Sequence, residues 1–320
     1  MNIVYNIISR GGREMILLLN TDLIKYKALS LDKLYLASKN TADVMSDSFY
    51  GSSYLASEIF HSLKEDYKVL SFAGGYAAMK YRNYLEKYLS DYYLVNIKDE
   101  ARSLIDIKEA ARTTRIIENA PRITRDDELN FIDKFDEIIY DTRVTLLMED
   151  FDNNISPDFY QGLINVSNRY MKKLFVSSSK GTMKLCMNSN VFAMSMDYKD
   201  LSDILNLRLT TLDDVVSVVK FMAIDKDRII LLKFNDNLII FTKDCYYLFD
   251  YDKKTNAHID KNMALLGLAI AFERKYDLET SLKIASSFSI FKKKDTLNFD
   301  FSIIKKIMSE TDIIRYSYVY

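Results

Sequence analysis

Two acidic side chains are spaced so that they could bind a metal ion together. Asp197 and Asp200 lie three residues apart, and on a helix this spacing puts both carboxylates on one face. Such a pair can hold a hydrated Mg²⁺, because Mg²⁺ keeps several of its own water ligands. The alternative is an N-cap aspartate followed by an ordinary exposed helix acid. The spacing leaves both a magnesium site and a structural role open.

Cysteine and histidine are too scarce for other kinds of metal or redox site. The chain has two cysteines, Cys186 and Cys245, and two histidines, His61 and His258. These numbers exclude a Cys/His zinc site and a disulfide framework. Free thiols are typical of a reducing compartment, so we expect a cytoplasmic protein with both cysteines packed in its core.

The charge balance disfavours polyanionic partners. The 320 residues include 44 Lys and Arg against 45 Asp and Glu, which gives a formal net charge of -1. Nothing in this balance attracts nucleic acid or anionic lipid. The aromatic residues are scattered without basic clusters, which indicates core packing rather than base stacking. No apolar run reaches the roughly 18 residues of a membrane-spanning helix, so we expect neither a nucleic-acid partner nor a membrane.

Glycine is unusually rare. Eight of the 320 residues are glycine, which is about 2.5%. The average glycine content of proteins is about 7%. Loops that cradle phosphate use glycine, because several N–H groups converge on an anion only where no Cβ is in the way. This scarcity argues against a fully equipped nucleotide-dependent enzyme.

Short apolar runs alternate with amphipathic stretches from Met15 onward. Strands are predicted at 15–19, 68–72, 92–97, 144–148, 174–177, 191–194 and 228–232. Helices are predicted between them at 54–63, 77–89, 125–138, 157–172, 198–205 and 212–222. Short apolar strands separated by helices indicate β-α-β units around a mostly parallel sheet.

Other parts of the chain do not show this alternation of apolar strands and amphipathic helices. Segments of about 22–48 and 98–118 alternate polar and apolar residues, which predicts a small flanking β-sheet or lid. The last third predicts a hairpin at 238–241 and 246–249, then helices at 262–274, 278–288 and 301–308. Residues 1–14 differ in composition, and we interpret them as a leader or a disordered extension before a single domain at 15–320.

The order of short motifs along the chain resembles that of a kinase family. The motifs are LLN at 18–20, FAGG at 72–75, EAR at 100–102, ENAP at 118–121, PDFY at 157–160, TKD at 242–244 and LETSL at 278–282. In order and spacing they resemble the ribokinase-like (PfkB) sugar kinases, in the branch of 1-phosphofructokinase and tagatose-6-phosphate kinase. The resemblance implies a three-layer α/β/α domain with a mostly parallel sheet and a β-sheet lid. It also implies transfer of the γ-phosphoryl group of ATP to a sugar phosphate, with Mg²⁺.

The catalytic motif of that family is altered in this chain. The family has G-A-G-D at the start of a late helix, where N–H groups stabilise the transferring phosphoryl group and the Asp accepts a proton. Counting back from residues 278–282 places IDKN at 259–262, so Asn262 occupies the base position. An amide accepts no proton at neutral pH. Asp260 would replace the base only with a two-residue shift, and Lys261 becomes a candidate nucleotide contact.

The sugar-binding motifs are only partly kept. The family's N-P-A-I-D reads NTDLI at 20–24, which keeps Asn20 and puts Ile24 at the sugar-binding acid. Its G-G-K-G reads YGSS at 50–53, which keeps Gly51 and loses the lysine. Arg102 stands at the position of the phosphate-contacting arginine. The resemblance therefore makes Asn20, Gly51 and Arg102 the candidate substrate contacts.

Two further loops depart from the family. Its S-G-S-L-P-P-G reads EDFDNNI at 149–155, and we expect these acids to repel a phosphosugar. Its ATP-contacting S-x-G-x-x-G reads LKFNDN at 232–237, with Phe234 in place of a glycine. Its K-P-N-x-x-E falls on 195–200, which makes Asp197 and Asp200 the candidate nucleotide and Mg²⁺ contacts.

Together these departures predict a pseudokinase with weak or no activity. One alternative is an active divergent kinase that uses Asp260 or Asp22 as base, with Mg²⁺ near Asp197 and Asp200. Another is a structural or interaction protein. ATP and Mg²⁺ are the implied cofactors if the protein is active. The implied partners are a sugar phosphate and a second copy bound through the lid sheet.

Overall fold

A ten-stranded sheet crosses the protein in a computed structural model that describes residues 15–149, 151, 154–177, 180–251, 258–290 and 299–318. The proposed leader, residues 1–14, lies outside the described residues. In spatial order the strands are β14 (Thr311–Ser317), β13 (Cys245–Tyr251), β12 (Asn237–Phe241), β11 (Ile229–Phe234), β10 (Ala193–Asp197), β9 (Lys173–Ser177), β8 (Thr142–Met148), β1 (Met15–Asn20), β4 (Tyr67–Gly74) and β5 (Tyr92–Ile97).

Most neighbouring strands of this sheet run parallel. Every pair from β11 across to β5 is parallel. The pairs among β11, β12, β13 and β14 are antiparallel. The prediction of a mostly parallel central sheet is confirmed.

Helices cover both faces of the sheet. The side chains of β1 alternate, so that Ile16 and Leu18 join the core on one face while Leu17 and Leu19 join the core on the other. The first face carries α1 (Ser52–Leu63), α2 (Gly75–Leu85), α8 (Lys261–Glu273), α9 (Leu278–Ser289) and α10 (Phe301–Ser309). The second face carries α3 (Arg125–Ile138), α4 (Pro157–Arg169), α5 (Lys180–Asn188), α6 (Tyr198–Leu205) and α7 (Leu212–Lys226). This confirms the three-layer α/β/α fold.

The segments with alternating polar and apolar residues form a second, small sheet. Its strands, in spatial order, are β3 (Asp43–Tyr50), β2 (Ile24–Ser30), β6 (Ser103–Lys108) and β7 (Thr113–Ile117). The two inner strands, β2 and β6, are parallel, and each pairs with its outer neighbour in antiparallel fashion.

Helix α8 is apolar on all sides and lies within the core. Its residues from Met263 to Ala271 are buried, which is expected of a helix without a polar face. Gly267 allows close packing against α9, since a Cβ at this position would lie 2.7 Å from Cγ of Phe288. In the part of the chain that the structure describes, no helix is long and apolar enough to span a bilayer.

Two elements were not predicted from the sequence, α5 and β14. Helix α5 contains Gly181 and Thr182, which are poor helix formers, and it is stabilised by packing instead. Strand β14 lies at the edge of the sheet, where an exposed strand needs no continuous apolar run. A short one-turn 3₁₀ helix, Ile139–Asp141, also precedes β8.

Candidate active site

Asn262 lies in the first turn of α8 and joins three other parts of the fold. Its side chain is nearly buried, with 8% exposure. Nδ2 donates to Oγ of Ser52 at 2.9 Å and to the carbonyl oxygen of Glu149 at 3.4 Å. Oδ1 accepts a hydrogen bond from Oγ of Ser177, the last residue of β9. Both ends of the amide are thus bonded, and the group is held as a neutral donor and acceptor.

The neighbouring carboxylate, Asp260, caps the same helix. Its Oδ1 accepts hydrogen bonds from the backbone N–H groups of Asn262 at 3.0 Å and Met263 at 3.2 Å. These are N–H groups of the first helical turn, which have no partner within the helix and attract anions. A carboxylate of the chain itself therefore occupies the anion-binding end of α8. In this position Asp260 serves as a helix cap.

Lys261 connects this helix end with α6. Its Nζ donates to Oγ of Ser177 at 3.3 Å and to Oδ1 of Asn262 at 3.2 Å. Its ammonium charge also acts on Asp200, where it opposes the upward shift of the pKa. The structure thus brings Lys261, Asn262 and Asp200 into one region.

Asp197 and Asp200 lie together at the start of α6. Asp197 is the N-cap and accepts a hydrogen bond from the backbone N–H of Lys199 at 2.9 Å. Burial raises the pKa of the Asp200 carboxyl, and the negative charge of Asp197 raises it further. Two carboxylates in one turn fit a hydrated Mg²⁺. Among the described residues no cluster of three or more His, Cys, Asp or Glu side chains forms a metal site.

Arg102 forms a buried ion pair with Asp22. Its Nε donates to Oδ1 of Asp22 at 2.9 Å, and its Nη2 lies 2.7 Å from Oδ2. The two side chains are only 5% and 8% exposed. The guanidinium also lies over the ring of Phe151, at 5.7 Å from the ring centre. The only cation predicted to contact a sugar phosphate is therefore already paired with a carboxylate of the chain.

Asn20 and Gly51 shape the two turns that position Asp22 and Ser52. Oδ1 of Asn20 accepts a hydrogen bond from the backbone N–H of Asp22 at 3.3 Å, which fixes the turn after β1. Gly51 has a φ of 109°, a conformation that residues with a Cβ rarely adopt. This turn starts α1 and places Ser52 beside Asn262.

Solved structures of sugar kinases share this arrangement of strands and helices. Escherichia coli phosphofructokinase-2 in complex with substrates and products superposes with a TM-score of 0.76 at 14% identity, over 92% of this chain and 98% of that chain. A candidate 1-phosphofructokinase of Thermotoga maritima has a TM-score of 0.78 at 16% identity, over 95% of this chain and 100% of that one. A candidate sugar kinase of Clostridium perfringens has a TM-score of 0.72 at 12% identity, over 95% and 98%.

The chain has the ribokinase-like fold. The resemblance predicted from the motifs is confirmed at the level of the fold. No protein-family model matches the sequence, and no curated protein matches it. The roles of individual residues in this ribokinase-like fold therefore have to be argued from the geometry of the site.

A third carboxylate, Glu100, caps helix α2 of the ribokinase-like fold. Its side chain accepts hydrogen bonds from the backbone N–H groups of Tyr76 at 2.7 Å and Ala77 at 2.9 Å. It also forms an ion pair with Lys25 at 3.2 Å. Like Asp260, Glu100 fills a helix end where an anion would otherwise bind.

Glu149 is a site residue whose position differs from the expectation. The sequence suggested that it faces an anionic substrate together with Asp150 and Asp152, which lie outside the described residues. Glu149 is instead buried, and its carboxylate accepts hydrogen bonds from hydroxyl groups of Thr182 at 3.1 Å, Thr21 at 3.5 Å and Tyr160. Its place directly after the buried strand β8 is the signal that could have revealed this role.

The turn between β11 and β12 is filled by aromatic side chains. Phe234 packs edge-on against Tyr198, with ring centres 4.8 Å apart. The hydroxyl of Tyr198 donates to Oδ1 of Asn235 at 3.0 Å, and Asn235 takes the left-handed conformation with a φ of 51°. The resemblance implies glycine at this turn beside ATP, whereas a phenyl ring and a hydrogen-bonded asparagine occupy the turn in this chain.

Proposed function

We propose that this protein is a cytoplasmic sugar-kinase homologue of the PfkB type that has lost phosphoryl transfer and acts by binding a ligand. The observation that carries the proposal is the N-terminus of α8. There Asn262 stands in the base position, and the carboxylate of Asp260 occupies the N–H groups of the first turn.

Both losses act on the same chemical step. Phosphoryl transfer depends on positioning and on electrostatic stabilisation of the transferring group. Removing a general base typically costs about 10² to 10⁴ in rate. Removing an electrostatic donor costs about 10² to 10³. A site that lacks both the general base and the free N–H donors is expected to transfer phosphate orders of magnitude more slowly than an intact kinase.

The nucleotide side keeps some suitable groups. If MgATP binds, Asp197 and Asp200 would hold the hydrated Mg²⁺, and Lys261 would meet phosphate oxygens. The ion would neutralise phosphate charge, and its presence would also relieve the repulsion between the two carboxylates. We therefore propose that ATP and Mg²⁺ are optional ligands, with Phe234 weakening the usual contact at the turn.

An ADP-release assay tests this proposal. The full chain is mixed with MgATP and, in turn, fructose, fructose 1-phosphate, fructose 6-phosphate and tagatose 6-phosphate. We expect no sugar-dependent ADP above the background without protein. Sugar-dependent ADP release would overturn the proposal, and its loss in Asp260→Asn would support an active divergent kinase with Asp260 as base.

A second copy of the chain is the partner that we propose for the small sheet. Its two outer strands, β3 and β7, expose apolar side chains, including Val44 and Met45 on β3 and Ile116 on β7. Exposed apolar surface of this kind marks interaction sites. Sedimentation of the full chain is expected to show a dimer that Met45→Lys dissociates, while a monomer at all concentrations would contradict the proposal.

A further inference from the structure

We infer that the side chain of Phe49 anchors the small sheet against helices α1 and α2, so that the site has one fixed shape before a ligand binds. The small sheet matters because its strands begin and end beside site residues. Asp22 lies two residues before β2, Arg102 directly precedes β6, and Gly51 directly follows β3. The inference rests on the proposed function in one respect, namely that the ligand binds at these residues, and it adds how their positions are fixed.

Phe49 is the buried residue of an otherwise accessible strand. It is 5% exposed, whereas the rest of β3 is half-buried or exposed. Its ring packs edge-on against Tyr81 of α2, with ring centres 5.0 Å apart. The ring centres of Tyr54 on α1 and Tyr84 on α2 lie 5.9 and 6.3 Å from that of Phe49. Phe49 thus joins the core on the first face of the large sheet.

The helices that contact Phe49 are also joined to each other. Tyr81 is fully buried and stacks with Tyr84, with ring centres 5.9 Å apart. The hydroxyl of Tyr84 donates to the carboxylate of Glu58 on α1. Aromatic rings bury large apolar areas, and their pairs attract one another further. Detachment of the small sheet would therefore expose a phenyl ring and leave a cavity between the two helices.

Two polar contacts lie beside this aromatic cluster. Nζ of Lys80 on α2 donates to the carboxylate of Asp47 on β3 and lies 5.8 Å from the centre of the Phe49 ring. Lys25 on β2 pairs with Glu100, whose carboxylate caps α2. The side chains of Lys80 and Asp47 are 31% and 62% exposed, and exposed ion pairs contribute little stability. The ring of Phe49 therefore contributes more to holding the sheet than the ion pair does.

Two of the segments that connect the small sheet to the large one are buried as well. Leu23, before β2, is 4% exposed, and Ala101, before β6, is 2% exposed. Both belong to the core on the first face. The ion pair between Asp22 and Arg102 joins one segment to the other. Segments that open easily have few buried apolar contacts, so these connections favour a sheet that stays in place.

Distances between spin labels test whether the sheet has one position in the ligand-free protein. The labels are attached through Lys27→Cys on β2 and Asn83→Cys on α2, both exposed positions, while Cys186 and Cys245 are buried. Met45→Lys is included so that the proposed dimer makes no contribution. We expect one narrow distribution of distances. A broad or two-peaked distribution would overturn the inference and leave the loss of phosphoryl transfer untouched.

Amide exchange followed by mass spectrometry tests the role of Phe49, because exchange reports rare local opening. In Phe49→Ala we expect the amides of β2, β3, β6 and β7 to exchange about 10²-fold faster or more, since a buried ring is lost. Phe131→Ala removes an equally buried ring from the second face and should leave these rates nearly unchanged. Asp47→Asn removes the exposed ion pair and should change them by less than about fivefold.

Equal increases in Phe49→Ala and Phe131→Ala would overturn the inference, because exchange would then report unfolding of the whole domain. Unchanged rates in Phe49→Ala would overturn it too. If Phe49→Ala does not fold by circular dichroism, Phe49→Leu replaces it, and the spin-label distances need no change at Phe49. ADP release measured on the same samples decides the proposed function separately, since turnover would refute the loss of activity whatever the position of the sheet.

Discussion

The buried ion pair between Asp22 and Arg102 should show strong energetic coupling. Two unit charges about 4 Å apart interact by about 4 kcal/mol at an effective dielectric constant of about 20. Removing one partner of a buried pair typically costs about 3 to 5 kcal/mol, because the other charge is left uncompensated. Asp22→Ala and Arg102→Met should each lower the free energy of unfolding by that amount. The double variant should be about 3 kcal/mol more stable than the sum of the single losses predicts.

Urea unfolding at pH 7, followed by circular dichroism, measures this double-mutant cycle. The control cycle uses Lys134 and Glu137, an ion pair whose side chains are 36% and 63% exposed. Exposed pairs of this kind couple by less than about 1 kcal/mol. Equal slopes of the unfolding transitions among the variants are required for the comparison.

A weak coupling would refute the reasoning. If the Asp22 and Arg102 cycle gives no more than the exposed control cycle, then the carboxylate does not hold the guanidinium.

Two further variants test the site and its support. Asp200→Asn should raise the melting temperature at pH 7, because the raised pKa of Asp200 means that ionising this carboxyl costs stability. The gain should vanish as the pH falls through that pKa toward 3.8, and a gain that persists at low pH would contradict the reasoning. Gly267→Ala should lower the free energy of unfolding by about 1 kcal/mol, because the clash with Phe288 outweighs the gain in helix propensity. Gly162→Ala is the control, because the one atom within 3.0 Å of its Cβ would be Cδ1 of Ile132 at 2.6 Å, the flexible end of that side chain, and it should be neutral or stabilising. Equal losses for both glycines would contradict the packing argument.

Strong periodic patterns made most of the fold predictable. The bounds of α3, α6 and β5 agree with those predicted, because a capping residue or a turn marks each end of these elements. Helix α7 runs four residues beyond the predicted end at 222, to Lys226, where Asp227 takes the left-handed conformation. The helix ends in the polar residues Asp225 and Lys226, so the apolar periodicity did not indicate that it extends this far. Elements held by tertiary packing, such as α5, carry too little local signal to be found.

The site was only partly accessible from the sequence. Colinear motifs made Asn262, Asp260 and Arg102 candidate site residues, because each motif is recognised by its place in the order of the elements. The partners of these residues could not be predicted, because contacts such as Asn262 with Ser52 join positions 210 residues apart. The same holds for Arg102 and Asp22, where a hydrogen bond spans 80 residues. Motif comparison shows which family residues are replaced, whereas the structure is needed to show which side chains contact the replacements.

A single-turnover experiment tests the loss of phosphoryl transfer most directly. Protein in excess over ATP labelled at the γ-phosphate is mixed with Mg²⁺ and each sugar and sugar phosphate, and the products are separated after a long incubation. The account predicts that the label stays on ATP, because Asn262 accepts no proton and Asp260 occupies the N–H groups of α8. Labelled sugar phosphate formed by the natural sequence above the background without protein would contradict the account, and its loss in Asp260→Asn would identify Asp260 as the base.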